Sequence, residues 1–301
     1  PFWLKPVAAQ VWLLIEARYQ HRFRINWRVS PMCCSSCPFS LGFSLPSEQS
    51  WIATYSQVGS ISGTVLALYR TFLLILALIV FIYAIEEYIP VEDDFGFFFI
   101  YLTHWGAMLE FVYFSMLCLT TWMAVRASAS AESGAKTGES QSMPWFASFT
   151  WILGTAMPSI TFLILVLFWA LVYEGGEIKV GSVVKHGGNY VPVLMDLLST
   201  RQPFYMRHVY VPVILALLYS LFTYIYNLAD GTNDSGNQYI YSAIDWEATP
   251  GSAAVTLILA SLVGVPLVHA GHVLLRWSCC CVAGKDQKEN TELTVPGIEK
   301  A

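Results

Sequence analysis

Charge is what this chain has least of. Only 12% of its 301 residues are Asp, Glu, Lys or Arg, about half the ~25% of an ordinary soluble domain. With 55% hydrophobic and 15% aromatic residues and a mean hydropathy of +0.53, that scarcity excludes a disordered chain, a nucleic-acid binder and most soluble enzymes. No internal repeat is visible. Metal-ligand sets are also lacking: Cys34 and Cys37 have a suitable spacing, but no second pair follows, so no metal site is expected. A bis-histidine haem would need histidines paired at one depth on two helices. His21 and His208 are poor partners for such a pair, and no cofactor is expected. What remains is an all-α, polytopic membrane bundle whose natural partners are membrane lipids.

A crossing helix needs about 20 apolar residues at 1.5 Å each. Five segments qualify: 65–85, 97–125, 149–173, 209–229 and 253–275. A sixth, 186–199, is short and carries Pro192 and Asp196. Basic residues decide its reading. If it crosses, thirteen of the sixteen lysines and arginines fall on one side, from Lys5 to Arg28, at Arg126 and Lys136, at Arg201 and Arg207, and from Arg276 to Lys300. The other side has only Lys179 and Lys185, and its loops 86–95 and 230–251 have no base at all. The positive-inside rule therefore predicts six spans with both termini cytosolic, in the plasma membrane or an endomembrane.

Outside the membrane domain at 65–277, residues 1–64 form a cytosolic or interfacial arm in which Trp3, Trp12 and Trp27 alternate with arginines. Residue 1 is a proline, so the natural start is expected upstream, and neither a signal peptide nor an N-terminal lipid site can be judged. The loop 127–142 is rich in Ser, Ala and Gly and reads as flexible. The segment 278–301 is Cys-rich at first, then polar and expected to be disordered after Gly284. Cys279, Cys280 and Cys281 follow Trp277 directly past the last span. They are candidates for S-palmitoylation, the alternative being free thiols at headgroup level.

Ionisable residues inside spans are expensive and mark functional candidates. Depth sorts them into an outer layer of Thr103, His104, His186 and Asn189 and an inner layer of Arg70, His269 and His272. Thr103 and Glu110 share a helix face but are separated by about 10 Å of rise, so Glu110 cannot act as a base for Thr103. Glu110 and Asp196 are expected near mid-membrane, protonated or paired with a basic group. Arg70 is expected to snorkel to the cytosolic interface, and the two late histidines to make interhelical hydrogen bonds.

The loop between the last two spans is the most distinctive stretch. Asp230 to Asn237 is a turn cluster. Tyr239, Tyr241 and Trp246 suit an aromatic belt, and Asn233-Asp234-Ser235 is a glycosylation sequon. The order Gly231-Thr232-Asn233, Tyr239-Ile240-Tyr241, Asp245-Trp246 and Pro250-Gly251 resembles the signature of the rolling stone family of animal membrane proteins. Tyr101-Leu102-Thr103-His104-Trp105 and Tyr69-Arg70 resemble that family's shorter motifs, and the likeness covers roughly residues 65–277.

Two functions follow from the resemblance. The family's namesake is linked to muscle-cell fusion, which implies a membrane or cell-surface interaction role without chemistry. The related androgen-induced membrane hydrolases instead cleave fatty-acid esters of hydroxy fatty acids with a threonine nucleophile and a histidine. By that likeness Thr103, in Tyr-Leu-Thr, is the matching nucleophile, and a fatty-acyl ester is the implied substrate. The relatives' catalytic histidine is the second of a His-Gly-x-His run. Here the run is His186-Gly187-Gly188-Asn189, and asparagine cannot act as a base. The enzyme reading therefore requires His186 to reach Thr103.

Overall fold

Apolar runs, broken by Gly, Pro and polar clusters, decide where the helices begin and end. The computed structural model describes residues 50–58, 61–86, 95–132, 142–173 and 180–292, with Phe43 and Gly175, and side chains as far as 278 except at 95 and 131–132. Its α-helices are α1 (Trp51–Ser56), α2 (Gly63–Glu86), α3 (Leu102–Glu132), α4 (Trp145–Leu167), α5 (Val180–Val183), α6 (Tyr190–Ser199), α7 (Tyr210–Leu228), α8 (Pro250–Leu259) and α9 (Val265–Glu292). Three π-helical turns extend or join them: Phe168–Val172 after α4, Val184–Gly188 between α5 and α6, and Ala260–Gly264 between α8 and α9. No strand occurs among the described residues.

Five helical stretches are long and apolar enough to cross a membrane: Gly63–Glu86, Leu102–Ser130, Trp145–Val172, Met206–Leu228 and Pro250–Ser278. They correspond to the five strong segments of the sequence. Their ends differ for local reasons. Phe95–Phe99 winds as a 3₁₀ turn, so α3 starts later than residue 97. It also runs on to Glu132 through an alanine-rich stretch that favours helix. The polar tail, expected to be disordered after Gly284, is instead helical to Glu292. That stretch is proline-free and carries Lys, Gln and Glu, all good helix formers. Cys279, Cys280 and Cys281 lie on this helix, but their side chains fall outside the described residues, as do Cys34 and Cys37.

The weak sixth segment is longer than its apolar run suggests. Helical backbone continues from 180 to 199 with one turn residue, Asn189, between the π turn and α6. At 1.5 Å per residue that is about 30 Å. It runs parallel to α3 in constant register, for Thr103 meets His186 and Tyr113 meets Asp196, each pair 83 residues apart. Arg276 of α9 closes its lower end by donating to the carbonyls of Leu197 (2.5 Å) and Thr200 (2.6 Å), a cation at a helix C-terminus.

Surface and interior are inverted relative to a soluble protein. Leu68, Ile75 and Ile82 on α2 and Ile214, Leu218 and Ile225 on α7 are exposed, whereas Arg70, Glu110, Thr120, Thr150, Asp196 and His269 are buried. Packing between helices in lipid relies on close approach and hydrogen bonds rather than on the hydrophobic effect. Gly106 shows the first device: a Cβ there would lie 2.4 Å from Ile164 Cδ1. The Thr120–Thr150 hydroxyl bond of 3.0 Å shows the second. The packed unit also begins before residue 65. Tyr55 of α1 is buried and its hydroxyl lies 3.0 Å from the Ala147 carbonyl and 3.1 Å from Gln202 Oε1.

Candidate functional site

Thr103 is the second residue of α3, and the in-register neighbour helix brings His186 against it. Thr103 Oγ1 and His186 Nδ1 are 3.1 Å apart. The imidazole is held flat by stacking on Phe168. With the proton on Nε2, Nδ1 accepts the threonine hydroxyl hydrogen, which is the contact a nucleophile and its general base must make.

A third polar group comes from the loop between α7 and α8. Tyr241 accepts a hydrogen bond from the Leu102 backbone N–H at 3.0 Å, and its hydroxyl is also within hydrogen-bonding reach of the Thr103 side chain and N–H. Burial pushes its phenol above the ordinary tyrosine value, so it stays a neutral donor. The expectation that Tyr241 belongs to an interfacial belt is corrected: it turns inward and meets Tyr101 edge-on at 5.7 Å. Beside it Tyr219 donates to the Ile100 carbonyl at 2.9 Å.

Thr103, Tyr219 and Tyr241 line an apolar cavity of about 80 Å³ between α4, α7 and α8, whose wall also includes Leu163, Leu167, Phe168 and Leu257; His186 lies behind Thr103 and Phe168 rather than in that wall. Two of the three π turns of the described residues line this cavity, one through Phe168 and one through Ala260 and Ser261. The third meets it through the contacts of His186 with Thr103 and Phe168. Such turns cluster at functional sites because they redirect side chains at a cost in helix regularity.

The remaining sequence candidates do not join this site. His104 Nδ1 donates to the Phe98 carbonyl at 2.8 Å and its ring stacks on Phe98. Asn189, one turn below His186, is buried beside Gly106 with neither amide atom hydrogen-bonded. Glu110 is buried and its carboxyl oxygens have no hydrogen-bond partner. His269 links Ser159 (3.2 Å) to the Tyr205 carbonyl (3.1 Å), and His272 links Tyr190 (2.9 Å) to the Val268 carbonyl (2.9 Å).

Arg70 is the main correction. It does not snorkel, and it is not layered with the two histidines. It is wholly buried, with Nη1 donating to Thr121 (2.7 Å) and the Tyr55 carbonyl (3.1 Å), Nη2 to Thr200 (3.0 Å), and Nε 3.5 Å from Asp196. Tyr113 donates to Asp196 at 2.5 Å. Asp196 is therefore paired with a cation, Arg70, and bonded to Tyr113. At 3.5 Å the ion pair is Coulombic rather than a hydrogen bond, and Nε and Oδ1 make no other bond.

The family model for the protein rolling stone matches residues 41–276. The chain belongs to the rolling stone family. It is similar to the protein rolling stone of Drosophila melanogaster, 31% identical over 172 residues, covering 54% of this chain and 61% of the fly protein. It thus spans about three fifths of the curated relative's length. No solved structure matches the chain.

The rolling stone signature loop has physical content. Gly231 follows α7, and a Cβ there would fall 2.4 Å from the Tyr226 ring. Asn233 Oδ1 accepts from the Ser235 and Asn237 N–H groups at 3.0 and 2.9 Å and the residue is 7% exposed. The sequon serves as a turn. Trp246 donates to Thr223 at 3.2 Å. The loop is thereby fixed onto α7, with Tyr241 between these anchors and α3. Tyr241, Tyr219 and Phe168 are site residues that chemistry-based reading of the sequence passes over, since aromatic residues near a membrane surface have a commoner explanation. The signal for Tyr241 was its place in the Tyr-Ile-Tyr run of the signature.

Proposed function

We propose that this rolling stone family member is an intramembrane hydrolase of long-chain fatty-acyl esters, with Thr103 as nucleophile and His186 as general base. The observation that carries the reading is the 3.1 Å contact between Thr103 Oγ1 and His186 Nδ1, with Thr103 in the wall of a mainly apolar cavity. Thr103 Oγ attacks the ester carbonyl carbon while Nδ1 takes its proton. The tetrahedral intermediate expels the alkoxide, which receives that proton and leaves as an alcohol. Water then adds to the acyl-threonine with His186 again taking a proton, and the C–Oγ bond breaks to release the fatty acid and restore the hydroxyl. An apolar cavity selects a neutral acyl chain, because burying a charged head there without a partner is costly.

The test is turnover of a long-chain acyl ester by the purified, detergent-solubilised protein, together with labelling of Thr103 by a fluorophosphonate. Turnover that disappears in Thr103→Ala supports the reading. Absence of turnover in the parent, or its persistence in Thr103→Ala, overturns it and leaves a membrane-interaction role, which the tightly ordered outer loop favours.

The same reading includes six crossings with both termini cytosolic. It rests on the parallel course of α3 and the 180–199 segment: two crossings that run the same way have an odd number of crossings between them, here α4 alone. Single cysteines at Asp93 and Gly236 should then label from outside intact cells, and those at Gly134 and Lys288 should not. Labelling at Lys288 together with Asp93 would remove the 180–199 segment as a crossing.

A further inference from the structure

We propose that Tyr241 is the oxyanion donor of this site: its hydroxyl, fixed by the Leu102 N–H at the start of α3, hydrogen-bonds the carbonyl oxygen of a neutral acyl ester as Thr103 attacks. The inference rests on the hydrolase reading and goes one step beyond it.

Tyr241 lies in the cavity wall with Thr103 and in reach of its hydroxyl, and it comes from the outer loop, on a different element from His186. In a tetrahedral adduct on Thr103 the oxyanion is one bond from the carbon that Oγ holds. A donor within hydrogen-bond distance of Oγ is thereby within reach of the oxyanion as well. The phenol oxygen accepts from the Leu102 N–H at 3.0 Å, a first-turn donor with no partner inside the helix. That contact pins the ring, and the phenolic hydrogen, which in the resting site faces the hydroxyls of Tyr219 and Thr103, turns to the carbonyl oxygen when an ester binds. The N–H contact also polarises the O–H, because hydrogen bonds in series strengthen one another. A preorganised donor in a mainly apolar cavity acts on charge that develops only in the transition state.

Fixation supplies the second half of the case. Tyr241 sits between the Asn233 turn and Trp246, which is bonded to Thr223 of α7. The hydroxyl therefore does not have to be brought into place at each turnover. His104, the other polar side chain in this turn of α3, donates instead to the Phe98 carbonyl.

Tyr241→Phe removes one hydroxyl and keeps the ring. Its kcat should fall by about 10²–10³-fold with KM nearly unchanged. The decisive reading is the ratio of rates on an oxygen ester and the matching thionoester. Sulfur accepts hydrogen bonds poorly, so the parent should favour the oxygen ester strongly and Tyr241→Phe should lose most of that preference. The ratio does not depend on how much of the variant folds. A kcat unchanged from the parent, or a reduced kcat with the parental ratio, would overturn the proposal and leave Tyr241 as a cap on α3. If the parent turns over and Thr103→Ala does not, such a failure strikes Tyr241 alone. If the parent itself is inactive, both readings fall together.

Discussion

Changing His186 to alanine should slow ester cleavage by about 10²–10⁴-fold, the usual contribution of a positioned general base, with little change in thermal stability. The imidazole is half-buried, and its polar contact is Thr103 itself. Its removal leaves the threonine in place but without a proton acceptor, so kcat should fall while KM for a long-chain ester stays near the parental value. Asn189 gives the complementary test. Its amide is buried without a hydrogen bond, so replacing it forfeits none. Helical side chains lean toward the N-terminus, which from position 189 is toward the layer of Thr103. Asn189→His in the His186→Ala background should therefore recover part of the rate, whereas Asn189→Asp should recover none. A His186→Ala protein that cleaves at the parental rate would remove the histidine from the mechanism.

The sequence yields the membrane class and the five strong helices directly, because apolar runs of that length have few other uses. It also yields Thr103 and His186 as members of one outer layer, since depth along a helix follows from counting residues. Lateral position does not follow from depth. His104 and His186 share a level, yet only His186 faces Thr103, because the constant register of two parallel helices sets the pairing and one helix alone does not reveal it. Tyr241 is hidden for a different reason. A tyrosine in an outer loop is as well explained by the interface as by a site, and only the fold of the Asn233 turn aims it inward. The fate of Arg70 depends on groups scattered from Tyr55 to Thr200. Snorkelling is the cheaper solution for a lone cation near a helix end, and it loses here because α1, α3 and the C-terminal end of α6 together provide three hydrogen-bond acceptors and a counter-ion.

That network leads to the largest stability effect expected in the molecule. Arg70→Met or Asp196→Leu alone should destabilise the protein by about 3–5 kcal/mol, since each strands one charge in a buried site. Arg70 would lose its counter-ion while keeping Thr121, Tyr55 and Thr200. Asp196 would keep only the Tyr113 hydroxyl and become a carboxylate without a cation. The double variant Arg70→Met/Asp196→Leu should be more stable than either single one, because it removes both desolvated charges and leaves neutral hydroxyls able to bond to backbone carbonyls. Thr121 already donates to the Leu117 carbonyl at 2.7 Å, so it does not depend on the pair. Thermal unfolding in one detergent, compared across the four proteins, measures this coupling. Additive losses in the double variant would mean that the 3.5 Å contact of Arg70 with Asp196 carries no energy of its own. In that case the guanidinium would be held by its hydroxyl and carbonyl acceptors alone. Because the network meets α3 at Tyr113 and Thr121, about 15 and 27 Å along the helix from Thr103 at 1.5 Å per residue, these variants should lower the amount of folded protein without changing the oxygen-ester to thionoester ratio of what remains.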